Sequence, residues 1–154
     1  MATLNEGDAA PDFELRDGDG KTWSLRDLKG SRVILYFYPA DDTPGCTAQA
    51  CDFRDSMQPL TAAGYTVLGI SPQDADSHGR FAERYSLNFP LLVDEDHKVA
   101  EAYGAWGEKK NYGKIYEGIV RSTFVIDDNG VVEKALYNVK ATGHVSRLKE
   151  QLSL

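Results

Sequence analysis

The sequence predicts an α/β fold with a mixed central sheet flanked by helices. Three observations carry this. The short β-branched and aromatic runs at residues 33–38 and 66–70 are each followed by helical spacing, the strand–helix alternation of parallel strands. A third apolar run, 122–126, meets Asp127-Asp-Asn-Gly130 and then another apolar run, which reads as an antiparallel hairpin. The chain then closes on Val145, Leu148 and Leu152 at amphipathic-helix spacing. At 154 residues, 1–154 is read as one domain, without repeats, low-complexity segments or a linker.

In chain order, Phe13 and Leu15 alternate with charged residues up to a turn at Asp17-Gly-Asp-Gly20, and Thr22-Trp-Ser-Leu25 returns, giving an N-terminal β-hairpin. Residues 25–29 suit one helical turn stopped by Gly30. The strand at 33–38 ends at Pro39. A helix is expected from Thr43 to about Ala62, with Gly64 after it, then the strand at 66–70. Further helices are expected at 74–85 and 96–103, with a short extended segment at 89–93 between them. Residues 104–118 show no clean period and read as mostly loop. Strands at 122–126 and 131–139 and a helix at 143–152 complete the chain. This element order is that of a thioredoxin-like fold.

The chemistry concentrates at residues 39–51, Pro-Ala-Asp-Asp-Thr-Pro-Gly-Cys-Thr-Ala-Gln-Ala-Cys. Cys46, Ala50, Phe53 and Met57 recur at helical spacing. Thr43 suits the N-cap, and Pro44 the first helical position, where a missing N–H costs nothing. Cys46 thus falls in the first turn, where free backbone N–H groups and the helix dipole favour a thiolate, the nucleophilic form. Cys51 lies five positions on, rotated by roughly 140° and displaced by roughly 7.5 Å in an intact helix. Their Cα atoms would be about 8 to 9 Å apart, beyond the roughly 7 Å reach of a disulfide. The pair can coexist reduced in a folded helix and can bond only if the helix unwinds.

Pro39-x-x-x-Thr43-x-x-Cys46 resembles the signature of peroxiredoxins, and the Cys-x-x-x-x-Cys spacing resembles the branch called bacterioferritin comigratory protein or peroxiredoxin Q. The likeness continues through Gly7-Asp-Ala-Ala-Pro-Asp-Phe13, Phe53-Arg-Asp55, Val67-Leu-Gly-Ile-Ser71, Asp94-Glu-Asp96, Tyr103-Gly-x-Trp106 and Arg121-Ser-Thr-Phe-Val-Ile-Asp127. The resemblance implies a thiol peroxidase acting on hydrogen peroxide and organic hydroperoxides in antioxidant defence. It makes Cys46 the peroxidatic thiol and Cys51 the resolving thiol of an intramolecular disulfide that thioredoxin reduces. Thr43 would offer its hydroxyl to the peroxide, Pro39 would shield the sulfur, and Arg121 would hold the thiolate and polarise the peroxide. No cofactor is implied, and a monomer is expected. Many family members carry Glu where this chain has Gln49, so a role that needs negative charge there is not expected.

A net charge of −7 argues against nucleic-acid and anionic-membrane partners. No segment approaches a membrane span. The N-terminal stretch shows no signal peptide, so a cytoplasmic setting is the expectation, and there a cysteine pair is more often catalytic or metal-binding than structural. His78, His97 and His144 show no ligand spacing and read as surface residues; Tyr38 and Trp106 read as core or pocket wall. Two alternatives stand beside the peroxidase. A general disulfide oxidoreductase would normally use Cys-x-x-Cys, and a non-enzymatic peroxide sensor or holdase would react once without turnover.

Overall fold

The computed structural model describes residues 3–154; Met1 and Ala2, part of the stretch read for a signal peptide, lie outside it. Five strands form the central sheet in the order β5-β4-β3-β8-β9, where β3 is Arg32–Phe37, β4 Tyr65–Ser71, β5 Leu91–Val93, β8 Ser122–Ile126 and β9 Val132–Leu136. β3, β4 and β5 run parallel, while β8 is antiparallel to β3 and β9 to β8. β1 (Glu14–Arg16) and β2 (Thr22–Ser24) form the expected N-terminal hairpin, and a single 3₁₀ turn spans Arg26–Leu28. The sheet is thus mixed, as the element order predicts.

After the exposed Arg32, β3 is apolar from Val33 to Phe37 because both its faces are covered there. Ile34, Tyr36 and Tyr38 point into one core with Ala50, Phe53 and Leu60. Val33, Leu35 and Phe37 point into the other with Phe13, Tyr103 and Phe124. The period of two along a strand sorts them so. Helices α1 (Pro44–Asp55), α2 (Met57–Ala62), α3 (Ala75–Arg84), α4 (Lys98–Ala102) and α5 (His144–Gln151) supply the covering layers.

Four expectations are corrected. The helix from Thr43 to Ala62 is two helices, broken at Ser56. Pro59 explains the break: it offers no N–H, and its ring would meet the carbonyl of Asp55 in a continuous helix. Residues 104–118 are not mostly loop but a hairpin, β6 (Trp106–Asn111) with β7 (Lys114–Ile119), paired in register from Trp106↔Ile119 to Asn111↔Lys114. Its turn residues Tyr112 and Gly113 both have positive φ, 51° and 78°, which matches the twist of a two-residue hairpin. The last strand ends at Leu136, short of Val139. His78 and His144 are buried, at 1% and 3% exposure, because each ring has polar partners inside the fold; neither is a surface residue.

Candidate active site

β3 hands the chain directly to the site. After Phe37, the buried Tyr38 and half-buried Pro39 lead into residues 40–43, and α1 starts at Pro44. Thr43 has extended backbone at the N-cap, and its carbonyl accepts from Thr47 N at 2.8 Å. Its hydroxyl does not cap the helix; it donates to Ala40 O at 3.1 Å, inside the loop. Cys46 lies in the first turn of α1 and is buried, at 1% exposure. Cys51 is half-buried on the same helix, and both thiols are free.

Arg121 comes to Cys46 through the sheet. β8 pairs antiparallel with β3 in the register Phe37↔Ser122, so the residue before β8 lies beside the end of β3 from which the cysteine loop departs. Its guanidinium donates from Nη2 to Cys46 Sγ at 3.3 Å and from Nη1 to Gln49 Oε1 at 2.6 Å. Cys46 and Gln49 are three residues apart and so share one helix face, and the planar fork of arginine spans both. Gln49 is fully buried and neutral, and among the described residues its Nε2 has no hydrogen-bond partner. The Tyr36 hydroxyl is likewise buried without a partner.

Sequence reasoning missed the anchoring of the loop. Asp41 accepts from the Tyr38 hydroxyl at 2.6 Å and the Ser77 hydroxyl at 2.7 Å, and it pairs with His78 Nδ1 at 2.6 Å. His78 Nε2 in turn meets Leu92 O at 2.8 Å. Burial opposes ionisation of Asp41, but the hydrogen bonds from His78 and Tyr38 outweigh it and hold the carboxyl below its ordinary value. Asp42, at φ 62°, accepts from Arg84 at 2.7 Å and from the Tyr85 hydroxyl at 2.9 Å. A signal for His78 did exist: it shares the buried face of α3 with Phe81, where a polar residue needs a partner.

Burial and the nearby Cys46 push the Tyr36 phenol well above its ordinary value, and burial with Tyr36 does the same to Tyr38. His144, which shares a 2.9 Å hydrogen bond with the Thr123 hydroxyl, is lowered to about 4 by burial and by the charges of Arg147 and Arg121. Of the residues singled out in the sequence, Cys46 and Arg121 are in contact. Thr43 and Pro39 flank them in the loop, and Cys51 shares α1. Among the described residues no cluster of three or more His, Cys, Asp or Glu suits a metal ion. No described helix is long and apolar enough to cross a membrane.

The model of the AhpC/TSA family matches residues 6–135. The chain is 50% identical over 144 residues to peroxiredoxin Bcp of Escherichia coli, covering 94% of this chain and 92% of the relative. It is 47% identical over 150 residues to peroxiredoxin Bcp of Bacillus subtilis, covering 97% and 96%. The solved structure of the bacterioferritin comigratory protein of Xanthomonas campestris is similar at TM-score 0.89 and 35% identity, over 99% of this chain and 98% of that one.

Proposed function

The chain belongs to the AhpC/TSA family and is a peroxiredoxin, a thiol peroxidase, and on that premise we propose that Cys46 is its peroxidatic thiol, Cys51 its resolving thiol and a thioredoxin-like dithiol its reductant. The observation that carries the assignment is the 3.3 Å contact from Arg121 Nη2 to Cys46 Sγ. A fixed cation with a donor aimed at the sulfur stabilises the nucleophilic form and faces the oxygen on which charge develops.

The Cys46 thiolate attacks the terminal oxygen of the hydroperoxide. The S–O bond forms as the O–O bond breaks, and the leaving alkoxide or hydroxide takes a proton, giving the alcohol or water and a sulfenic acid on Cys46. The Thr43 hydroxyl, which spends its proton on Ala40 O, keeps lone pairs to accept from the incoming peroxide. The half-buried Pro39 limits access of water. The Cys51 thiolate then attacks the Cys46 sulfur, the sulfenic oxygen leaves as water after protonation, and a Cys46–Cys51 disulfide remains. Two exchange steps with a dithiol restore both thiols and leave the donor oxidised.

The resolving step needs α1 to unwind, and the helix suits this. It holds 12 residues, about the length at which an isolated helix is marginal in water, so packing of Cys46, Gln49, Ala50 and Phe53 holds it. The break at Ser56 separates it from α2, which can stay in place. An intramolecular disulfide needs no second chain, which supports a monomer, and a cysteine pair that returns to two free thiols suits a reducing, cytoplasmic setting. The X. campestris relative is described with alkyl peroxide reduction activity, which supports organic hydroperoxides beside hydrogen peroxide.

Single-turnover oxidation with one equivalent of peroxide, followed by intact mass and a free-thiol count, tests the roles. Wild type is expected to lose two hydrogens, Cys51→Ser to stop at sulfenic acid, and Cys46→Ser not to react. Consumption of peroxide by Cys46→Ser at the wild-type rate overturns the peroxidatic assignment. Wild type halting at sulfenic acid with Cys51 free overturns the resolving one.

A further inference from the structure

The β6–β7 hairpin brings a second cation to the site. Lys109 is half-buried on β6, diagonal to Gly118 on β7. A side chain at Gly118 would have its Cβ 3.4 Å from Lys109 Cδ, so the lysine stem runs across the glycine toward the base of the hairpin. Three residues beyond Gly118 the chain reaches Arg121. Lys109 and Arg121 line one cavity of about 560 Å³ together with Glu108, Lys110, Val120 and Asn138. Among the described residues Lys109 has no salt-bridge partner, and Arg121 gives its hydrogen bonds to a sulfur and a neutral amide.

We propose that Lys109 is a positioning residue whose ammonium, acting beside Arg121, supplies a second positive charge that stabilises the Cys46 thiolate. This rests on the assignment of Cys46 as the peroxidatic thiol. A half-buried ammonium next to a guanidinium is unfavourable unless negative charge is near. Burial and Arg121 both disfavour the charged form of Lys109, and Cys46 favours it. Among the described residues no acid contacts Arg121, and Glu108 of the same cavity pairs with neither cation, so the anion that Arg121 itself touches is the Cys46 sulfur.

The other titratable or charged groups around the site are Tyr36 on β3, Tyr38 just after it, Asp41 in the loop, Cys51 on α1, Glu108 and Lys110 on β6 and His144 at the start of α5. Both tyrosines are pushed far above neutrality, Asp41 lies below its ordinary value and His144 is near 4. In a Cys51→Ser background Cys46 is the one remaining thiol, so the thiolate absorbance reads Cys46.

The experiment follows the ultraviolet absorbance of the thiolate against pH in Cys51→Ser protein carrying Lys109, Lys109→Met or Lys109→Arg. Met keeps the stem without the charge. The midpoint is expected to rise by about half a pH unit in Lys109→Met, the size suited to a half-exposed cation, and to return in Lys109→Arg. An unchanged midpoint in Lys109→Met overturns the proposal. So does an equal shift in the Met and Arg variants, because the stem and not the charge would then be responsible. The single-turnover test of Cys46→Ser stands apart, so a failure here leaves the peroxidatic assignment intact.

Discussion

Arg121 and Cys46, 75 residues apart in the chain, meet at 3.3 Å between Nη2 and Sγ. The same guanidinium holds Gln49 Oε1 at 2.6 Å, so one planar fork ties the thiol and its helix face to the head of β8. Lysine offers a point charge that cannot span both acceptors. Arg121→Lys is expected to lower the rate constant for peroxide reduction about 10²- to 10³-fold, the effect of removing an aligned donor from developing negative charge. Rapid-mixing measurement of sulfenic acid formation in a Cys51→Ser background reads this directly. A rate within a few-fold of wild type would mean that charge alone, without the fork, is sufficient.

Asp41 is the buried tie between α3 and the loop that leads into α1, beside the exposed pairing of Asp42 with Arg84. Its carboxylate takes hydrogen bonds from Tyr38 and Ser77 and pairs with His78. Asp41→Ala leaves the buried Tyr38 and His78 and the half-buried Ser77 without that partner and is expected to destabilise the fold by about 2–4 kcal/mol in urea unfolding. Peroxide reduction should fall with it, since the segment carrying Pro39 and Thr43 then keeps only the Asp42 contacts to Arg84 and Tyr85. Wild-type stability in this variant would show that the network does not hold the loop.

What the sequence disclosed follows from what has a local period. β3 and the start of α1 were legible because a doubly covered strand reads as a continuous apolar run and a Thr-Pro pair marks a helix start. The hairpin of β6 and β7 was not, because its tip faces water: Tyr112 is 98% exposed, Ile115 62% and Tyr116 45%, and no face is patterned by a core. The pairing of Asp41 with His78 joins residues 37 apart, so no window of sequence contains it. Arg121 by position alone is one more arginine before a strand; only the register of β8 on β3 shows that it meets Cys46. Pro59 is the local mark of the break between α1 and α2.

Arg54 pins the C-terminal half of α1. Its Nη1 donates to Tyr85 O at 2.6 Å, and its own carbonyl accepts from Asn88 Nδ2 at 3.3 Å. If α1 must unwind before Cys51 can reach Cys46, releasing this end should help. Arg54→Ala is expected to cost about 1 kcal/mol of stability and to speed disulfide formation by about the corresponding factor of a few. Acid-quenched mass spectrometry after a single peroxide equivalent follows the step. A slower or unchanged rate would place the start of unwinding at the Cys46 end.

His144 makes the fold sensitive to mild acid. Burial, Arg147 and Arg121 lower it to about 4 from an ordinary 6.5, so a proton binds the unfolded chain more readily than the folded one. The stability that this neutral ring supports is fully present above pH 6.5 and is lost progressively as pH falls toward 4. The shift corresponds to roughly 3 kcal/mol at its limit. Asp41 is also lowered, from 3.8, but its contribution is lost only below that pH, so the two windows separate. Urea unfolding at about pH 7.5 and about pH 5 should therefore show a loss in wild type that His144→Gln, which cannot titrate, does not share. An equal loss in both proteins would assign the acid sensitivity to other groups.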